Sequence, residues 1–227
     1  MQNKNLFITQ KKKIKMKEGM PINRKLVAKS NYVLREIFQN EENISFLKDF
    51  IESILKIIIK DIYIMPYLER MSKYLPAREN FGIVDVRVKT ANGEELNIGI
   101  QTIDGYYVQN KLLLYYAQIH ANQLEYEGIK EQAKTITINI VDFDFIKENN
   151  EYHNFIKLRA KDGEFLMHTI ELNKFRNNIE KIQDKQDGWI AYLASDNLLA
   201  DDAIEKYEIL EKFNEVIENY LLNEKME

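Results

Sequence analysis

The sequence predicts a mixed α/β (α+β) fold: a sheet of mixed strand direction flanked by helices, with a helical extension at the C-terminus. Three observations carry this reading. Residues 83–101 alternate with period two around turn chemistry, segments of helical period lie on both sides of that hairpin, and a second β-rich run at 135–141 follows the downstream helix.

Taken in order, Val33, Leu34, Ile37 and Phe38 recur at three- and four-residue spacing and predict a helix from Asn31. Asn40-Glu41-Glu42-Asn43 interrupts the pattern and offers a cap. Ile44, Leu47, Phe50, Ile51, Ile54, Leu55 and Ile58 then mark a second amphipathic helix, and Ile62–Met65, closed by Pro66, a strand. A helix is expected over roughly 107–125, with Gly128 near its end, and a strand over Thr135–Val141. Strands near 155–159 and 168–172, joined by Asp162-Gly163, precede a polar helix from about Lys174 that leads to Trp189–Leu193. Ala203, Tyr207, Leu210, Phe213, Ile217 and Leu221 close the chain at nearly heptad spacing. Such a helix packs on its own domain or, as the alternative, forms a homodimer through residues 203–221. The expected organisation is a basic arm (1–28), a core domain (29–195) and an acidic C-terminal helix (196–227).

Composition narrows the chemistry. Hydrophobic residues make up 45% of the 227 and aromatics 11%, enough for a packed core. The absence of Cys excludes disulfide scaffolds, thiolate zinc and thiol nucleophiles. His120, His153 and His168 lie far apart in sequence and are a poor basis for a zinc site, so any metal would be a hard ion held by carboxylates. The first thirty residues carry nine Lys/Arg against one acid, and residues 201–227 carry nine acids against three Lys. The arm reads as a solvated tail whose charge also suits a DNA phosphate backbone. The N-terminus lacks the apolar centre of a secretory signal, and the most apolar run, Ile51–Met65, is interrupted by Glu52, Lys56, Lys60 and Asp61. A cytoplasmic protein with no membrane span is expected.

The hairpin is the most informative segment. Val84, Val86 and Val88 alternate with Asp85, Arg87 and Lys89, and Leu96, Ile98 and Ile100 with Asn97, Gly99 and Gln101. A two-residue loop at Asn92-Gly93 would set Asp85 against Ile100 and mix polar with apolar residues on both faces. A three-residue loop, Ala91-Asn92-Gly93, sets Asp85 against Gly99 and Arg87 against Asn97, and both faces become chemically uniform. The second register is expected, with Asp85 on a solvent-facing groove. An Asp in mid-strand runs against β propensity and marks a functional position.

These stretches resemble the PD-(D/E)XK nuclease superfamily, in its recombination-promoting nuclease (Rpn) or transposase-like branch. The likeness rests on Asn31–Phe38, Gly82–Arg87, Asn97–Gln101, Leu113–Tyr116, Ile170–Phe175 and Trp189–Leu193, in that order, over roughly residues 29–195. The resemblance implies a restriction-endonuclease-like core and phosphodiester hydrolysis of DNA with Mg²⁺ or Mn²⁺. The family pattern sets an Asp on the second strand and Glu-x-Gln or Glu-x-Lys on the third. Carboxylates directly opposed across a strand pair have Cβ atoms roughly 4.5–5.5 Å apart, close enough to share a divalent cation.

Asp85 matches the Asp and Gln101 the last position of that motif, where a neutral amide can orient water. The middle position is Gly99, so the site lacks one carboxylate, and weak or absent activity is expected. Asn31 stands where the family's first helix carries Asp, and Arg78 where a Lys is expected. Glu95 lies four residues from 99, about 13 Å along the strand, too far to substitute. Asp104 remains as a replacement metal ligand. Lys111, Arg87 and Arg78 are the expected phosphate contacts, and the Tyr115-Tyr116 pair reads as core. A non-catalytic DNA- or protein-binding module on the same fold is the second reading.

Overall fold

The computed structural model describes residues 31–64, 82–91, 95–103, 134–160, 163–194 and 198–226. Helix α1 (Asn31–Phe38) is followed by a 3₁₀ turn (Glu41–Asn43) and α2 (Ile44–Leu55). The expected cap is there: the Asn40 side chain accepts from the Glu42 backbone N–H at 3.0 Å.

Helix α2 stops three residues earlier than its apolar pattern suggests. Lys56 takes the left-handed conformation (φ 54°), which ends the helix although Lys is not a residue that favours it. The Glu52 carboxylate then accepts from the Ile59 backbone N–H at 2.7 Å and fixes the turn. Ile58, expected on the helix's apolar stripe, is 72% exposed in that turn. The following strand, β1 (Ile59–Ile64), starts earlier than Ile62 and carries a bulge between Ile59 and Asp61.

Strands β2 (Gly82–Thr90), β3 (Glu95–Ile103), β4 (Lys134–Val141), β5 (His153–Ala160) and β6 (Gly163–Glu171) complete one mixed sheet in the order β1-β2-β3-β4-β6-β5. The β1–β2, β2–β3 and β5–β6 pairs are antiparallel, while β4 is parallel to both β3 and β6. Strand β6 begins at Gly163, five residues before its expected start, and Leu172 belongs to the next helix. That region holds two helices where one was expected: α3 (Leu172–Asn178) and α4 (Lys185–Ala194), separated by Ile179–Asp184. The chain ends in α5 (Leu198–Lys206) and α6 (Glu208–Met226).

One face of the sheet supplies the main core. Val86, Val88, Ile136, Ile138, Ile140 and Ile170 pack with α1, α2 and the helices from α3 to α6. At its centre Phe38, Phe50, Trp189 and Phe213 meet ring to ring, with Trp189 and Phe213 centroids 5.0 Å apart. The Trp189 indole N–H donates to Asp49 at 2.7 Å, so the buried ring leaves no polar atom unpaired.

The homodimer seam is corrected by this packing. Ala203, Leu210, Phe213, Ile217 and Leu221 are all buried in the chain's own core, and burying such side chains contributes roughly 1.5–3 kcal/mol for each large one. They are not available to a second copy.

Candidate functional site

The hairpin register is the expected one. Asp85 pairs with Gly99, Arg87 with Asn97 and Ile83 with Gln101. Residue pairs sum as a three-residue connection requires, and the alternative Asp85–Ile100 register does not occur. Val86 and Val88 are buried on the core face, so alternation puts positions 85, 87, 97, 99 and 101 on the other face.

That second face is continued by β4. Gly99 lies beside Thr137 and Gln101 beside Asn139 in the parallel β3–β4 pair; Asn139 in turn lies beside Thr169 of β6. Thr137, Asn139 and Thr169 are buried polar residues, and the Asn139 side-chain NH₂ donates to the His168 carbonyl at 3.0 Å. At the opposite edge Tyr63, paired with Arg87, is 58% exposed. The face thus runs from open at β1 to covered at β4, and the Asp85–Gly99 pair stands between. Thr137 and Asn139 were not among the residues expected at the site, though their signal is present: Thr135-Ile136-Thr137-Ile138-Asn139 alternates strictly, polar on the odd positions.

Arg78, Asp104 and Lys111 lie outside the described residues, as do the basic arm, Pro66, the helix expected over 107–125 with Tyr115-Tyr116, and His120. The register brings Asp85, Gly99 and Gln101 onto neighbouring strands of one face and puts Arg87 two residues along.

A second polar centre was not foreseen. Glu171, at the end of β6 and fully buried, accepts from the backbone N–H groups of Phe145 (2.6 Å) and Ile146 (3.1 Å) and from the Asn154 amide (3.2 Å). The buried Lys174 ammonium pairs with it at 3.1 Å and also donates to the Ile146 carbonyl. These bonds fold the loop after β4 back, so that Phe143 and Phe145 pack on Val141 and Met167 of the second face. The Ile170–Phe175 stretch that contributed to the resemblance is therefore structural here: its charges are consumed by the fold.

The architecture is that of an α/β protein with a polar position on each of two adjacent strands next to a covered polar row. The family described as PD-(D/E)XK nuclease family transposase matches residues 28–227, and the chain belongs to it. No curated protein and no solved structure matches the chain. Nucleases of this class work on DNA with a divalent metal ion. The donors present fit such an ion poorly: position 99, directly opposite Asp85, offers no side-chain oxygen, and among the described residues no three His, Asp or Glu side chains gather into a possible metal site. Among the described residues, no helix is long and apolar enough to cross a membrane.

Proposed function

We propose that this chain is a DNA-binding protein of the recombination-promoting branch of its family, built on the restriction-endonuclease-like core, whose hydrolytic centre is incomplete. The observation that carries the reading is the register: a single carboxylate position, Asp85, opposed by Gly99. Asp85 keeps the charge of the centre, and Gln101 can orient a water but cannot act as a base at neutral pH. Arg87, with Lys111 and Arg78, supplies phosphate contacts, and the basic arm over 1–28 adds sequence-independent affinity. Asp104 is the replacement ligand to test first. Residues 29–195 form the nuclease-like unit, working in the cytoplasm, and 196–227 its C-terminal support.

The test is plasmid nicking with Mg²⁺ or Mn²⁺ by four proteins: the native chain, Gly99→Glu, Asp85→Ala and the double change. Gly99→Glu is expected to raise cleavage roughly a hundredfold or more, because it returns a second carboxylate to the pair, and Asp85→Ala in that background to abolish the gain. Strong cleavage by the native chain, lost with Asp85→Ala, would overturn the incomplete-centre reading and point to Asp104. Duplex binding without cleavage by any of the four favours the non-catalytic binding module.

A further inference from the structure

Away from the Asp85–Gly99 face, the edge hairpin carries a chain of hydrogen bonds that ends in two histidines. His153 on β5 and His168 on β6 stand diagonally across the strand pair, with His153 Nε2 2.9 Å from His168 Nδ1. The carboxamide nitrogen of Gln186, in the first turn of α4, lies 3.2 Å from His153 Nδ1 and 2.9 Å from the Tyr152 hydroxyl. The Tyr152 hydroxyl is 2.5 Å from Asp187 Oδ1, and Asp187 Oδ2 accepts from the Gln183 backbone N–H at 2.8 Å.

The direction of each bond follows from the carboxylate end. An ionised Asp only accepts, so Tyr152 donates to Asp187. The Tyr152 oxygen then accepts from one N–H of Gln186, and the other N–H meets His153 Nδ1. With Nδ1 accepting, His153 carries its proton on Nε2 and donates it to His168 Nδ1, so His168 is also the Nε2–H tautomer. A further proton on either Nδ1 meets an N–H head-on. Turning Gln186 over would set its oxygen against the lone pairs of the Tyr152 oxygen.

The charged surroundings act in the same direction. Lys56, just past the end of α2 and paired with Asp184 at 2.6 Å, lies near enough for its charge to act on His153; Asp187 lies at the far end of the relay, and Lys157 follows on the same face of β5. Burial, reinforced by the Lys56 charge, holds His153 below the ordinary histidine range. A carboxamide oxygen at Nδ1 would work the other way, but the relay presents the NH₂ there. Burial and the bond to Asp187 push Tyr152 far above its usual range and keep it a donor. Phe155 stacks on His168 with centroids 5.9 Å apart and is 65% exposed, so water reaches this edge of the sheet.

We propose that this relay is a proton-sensitive latch: it ties the β5–β6 hairpin to α4 only while both imidazoles are neutral, and uptake of a proton there frees the hairpin from the helix. The latch is independent of the nuclease reading. Its sign follows from linkage. The folded state resists protonation at His153 while the unfolded chain does not, so this stability is complete above the ordinary histidine range and is lost as the pH falls from there through the lowered folded-state value.

Urea unfolding of the full chain between pH 7.5 and 5.5 tests this, using native protein and His153→Gln, whose amide keeps one acceptor and one donor without titrating. The native unfolding constant is expected to rise by up to about tenfold per pH unit for each proton taken up, and the variant to be distinctly flatter. His120 and the carboxylates contribute equally to both proteins. Identical pH slopes would overturn the proposal. Should the variant fail to fold, ¹⁵N NMR of the native imidazoles at pH 7.5 decides it: both rings as Nε2–H tautomers support the latch, and an Nδ1–H or doubly protonated His153 overturns it. Hydrogen exchange corrected for intrinsic rate adds the structural readout, with residues 153–171 opening at pH 5.5 before α2; an opening shared equally by the whole chain would count against a local release.

Discussion

Gly99 on β3 and Glu171 at the end of β6 occupy comparable places, each a strand position on the polar face, each beside a residue of β4. They have fared differently. Glu171 is held by two backbone amides, one side-chain amide and the Lys174 ammonium, and its removal would leave all of them stranded in the interior. Position 99 faces Asp85 across the hairpin with no side chain at all, and the ladder around it is regular from Gly82–Thr102 to Lys89–Glu95. Polar groups that hold loops in place are indispensable to the fold, whereas a strand position that ties down no loop, as 99 is, can go without a side chain while the strand pairing stays intact.

That contrast can be tested by stability. Glu171→Leu is expected to cost about 3–5 kcal/mol in urea unfolding, because it leaves the Lys174 ammonium buried and unpaired. Adding Lys174→Met should recover part of the loss, since no uncompensated charge then remains; a double change as damaging as both single changes summed would break the argument.

A smaller effect separates two glycines. At Gly188 in α4 an added Cβ would meet the Tyr207 ring at 2.8 and 2.9 Å and Leu210 Cδ1 at 3.3 Å. Gly188→Ala should therefore lower stability by roughly 1–3 kcal/mol through overpacking, read as a drop in melting temperature. Gly99→Ala should have the opposite sign, a gain of about 0.5–1 kcal/mol, because Ala loses less backbone freedom than Gly on entering a strand. A loss at position 99 in the same urea assay would show that its face is packed as tightly as that of Gly188.

The hairpin register was legible because both faces of a two-stranded ladder must be chemically uniform at once, and a single loop length satisfies this for Asp85, Gly99, Arg87 and Asn97. The end of α2 was not legible, because Lys56 gives no sign of a left-handed stop and Ile57-Ile58-Ile59 extends the apolar run without a break in period. The early start of strand β6 carries no turn signal beyond Gly163, and the α3–α4 break is hidden because Phe175, Ile179 and Ile182 keep helical spacing through the otherwise polar Lys174–Gly188. The histidines appeared unrelated since sequence spacing carries no information about partners fifteen residues apart across a hairpin, and Glu171 finds its amides 25 and 26 residues upstream. On the candidate site, the pairing of positions 85 and 99 is legible, and the covered row at Thr137 and Asn139 is not, since those residues read only as strand.

The aromatic cluster has a consequence for how the chain is made. Phe38 meets Phe213 at 5.7 Å and Phe46 meets it at 5.3 Å, so the first described helices are closed by the last. During synthesis from the N-terminus, α1 and α2 therefore wait with their apolar faces uncovered until α6 has left the ribosome. The β1–β3 meander waits too, with the β3 edge open until β4 arrives. The hairpins close on neighbouring residues, but the core closes across most of the chain's length, and a nascent chain stalled before residue 213 would expose the surface that the finished protein buries most completely.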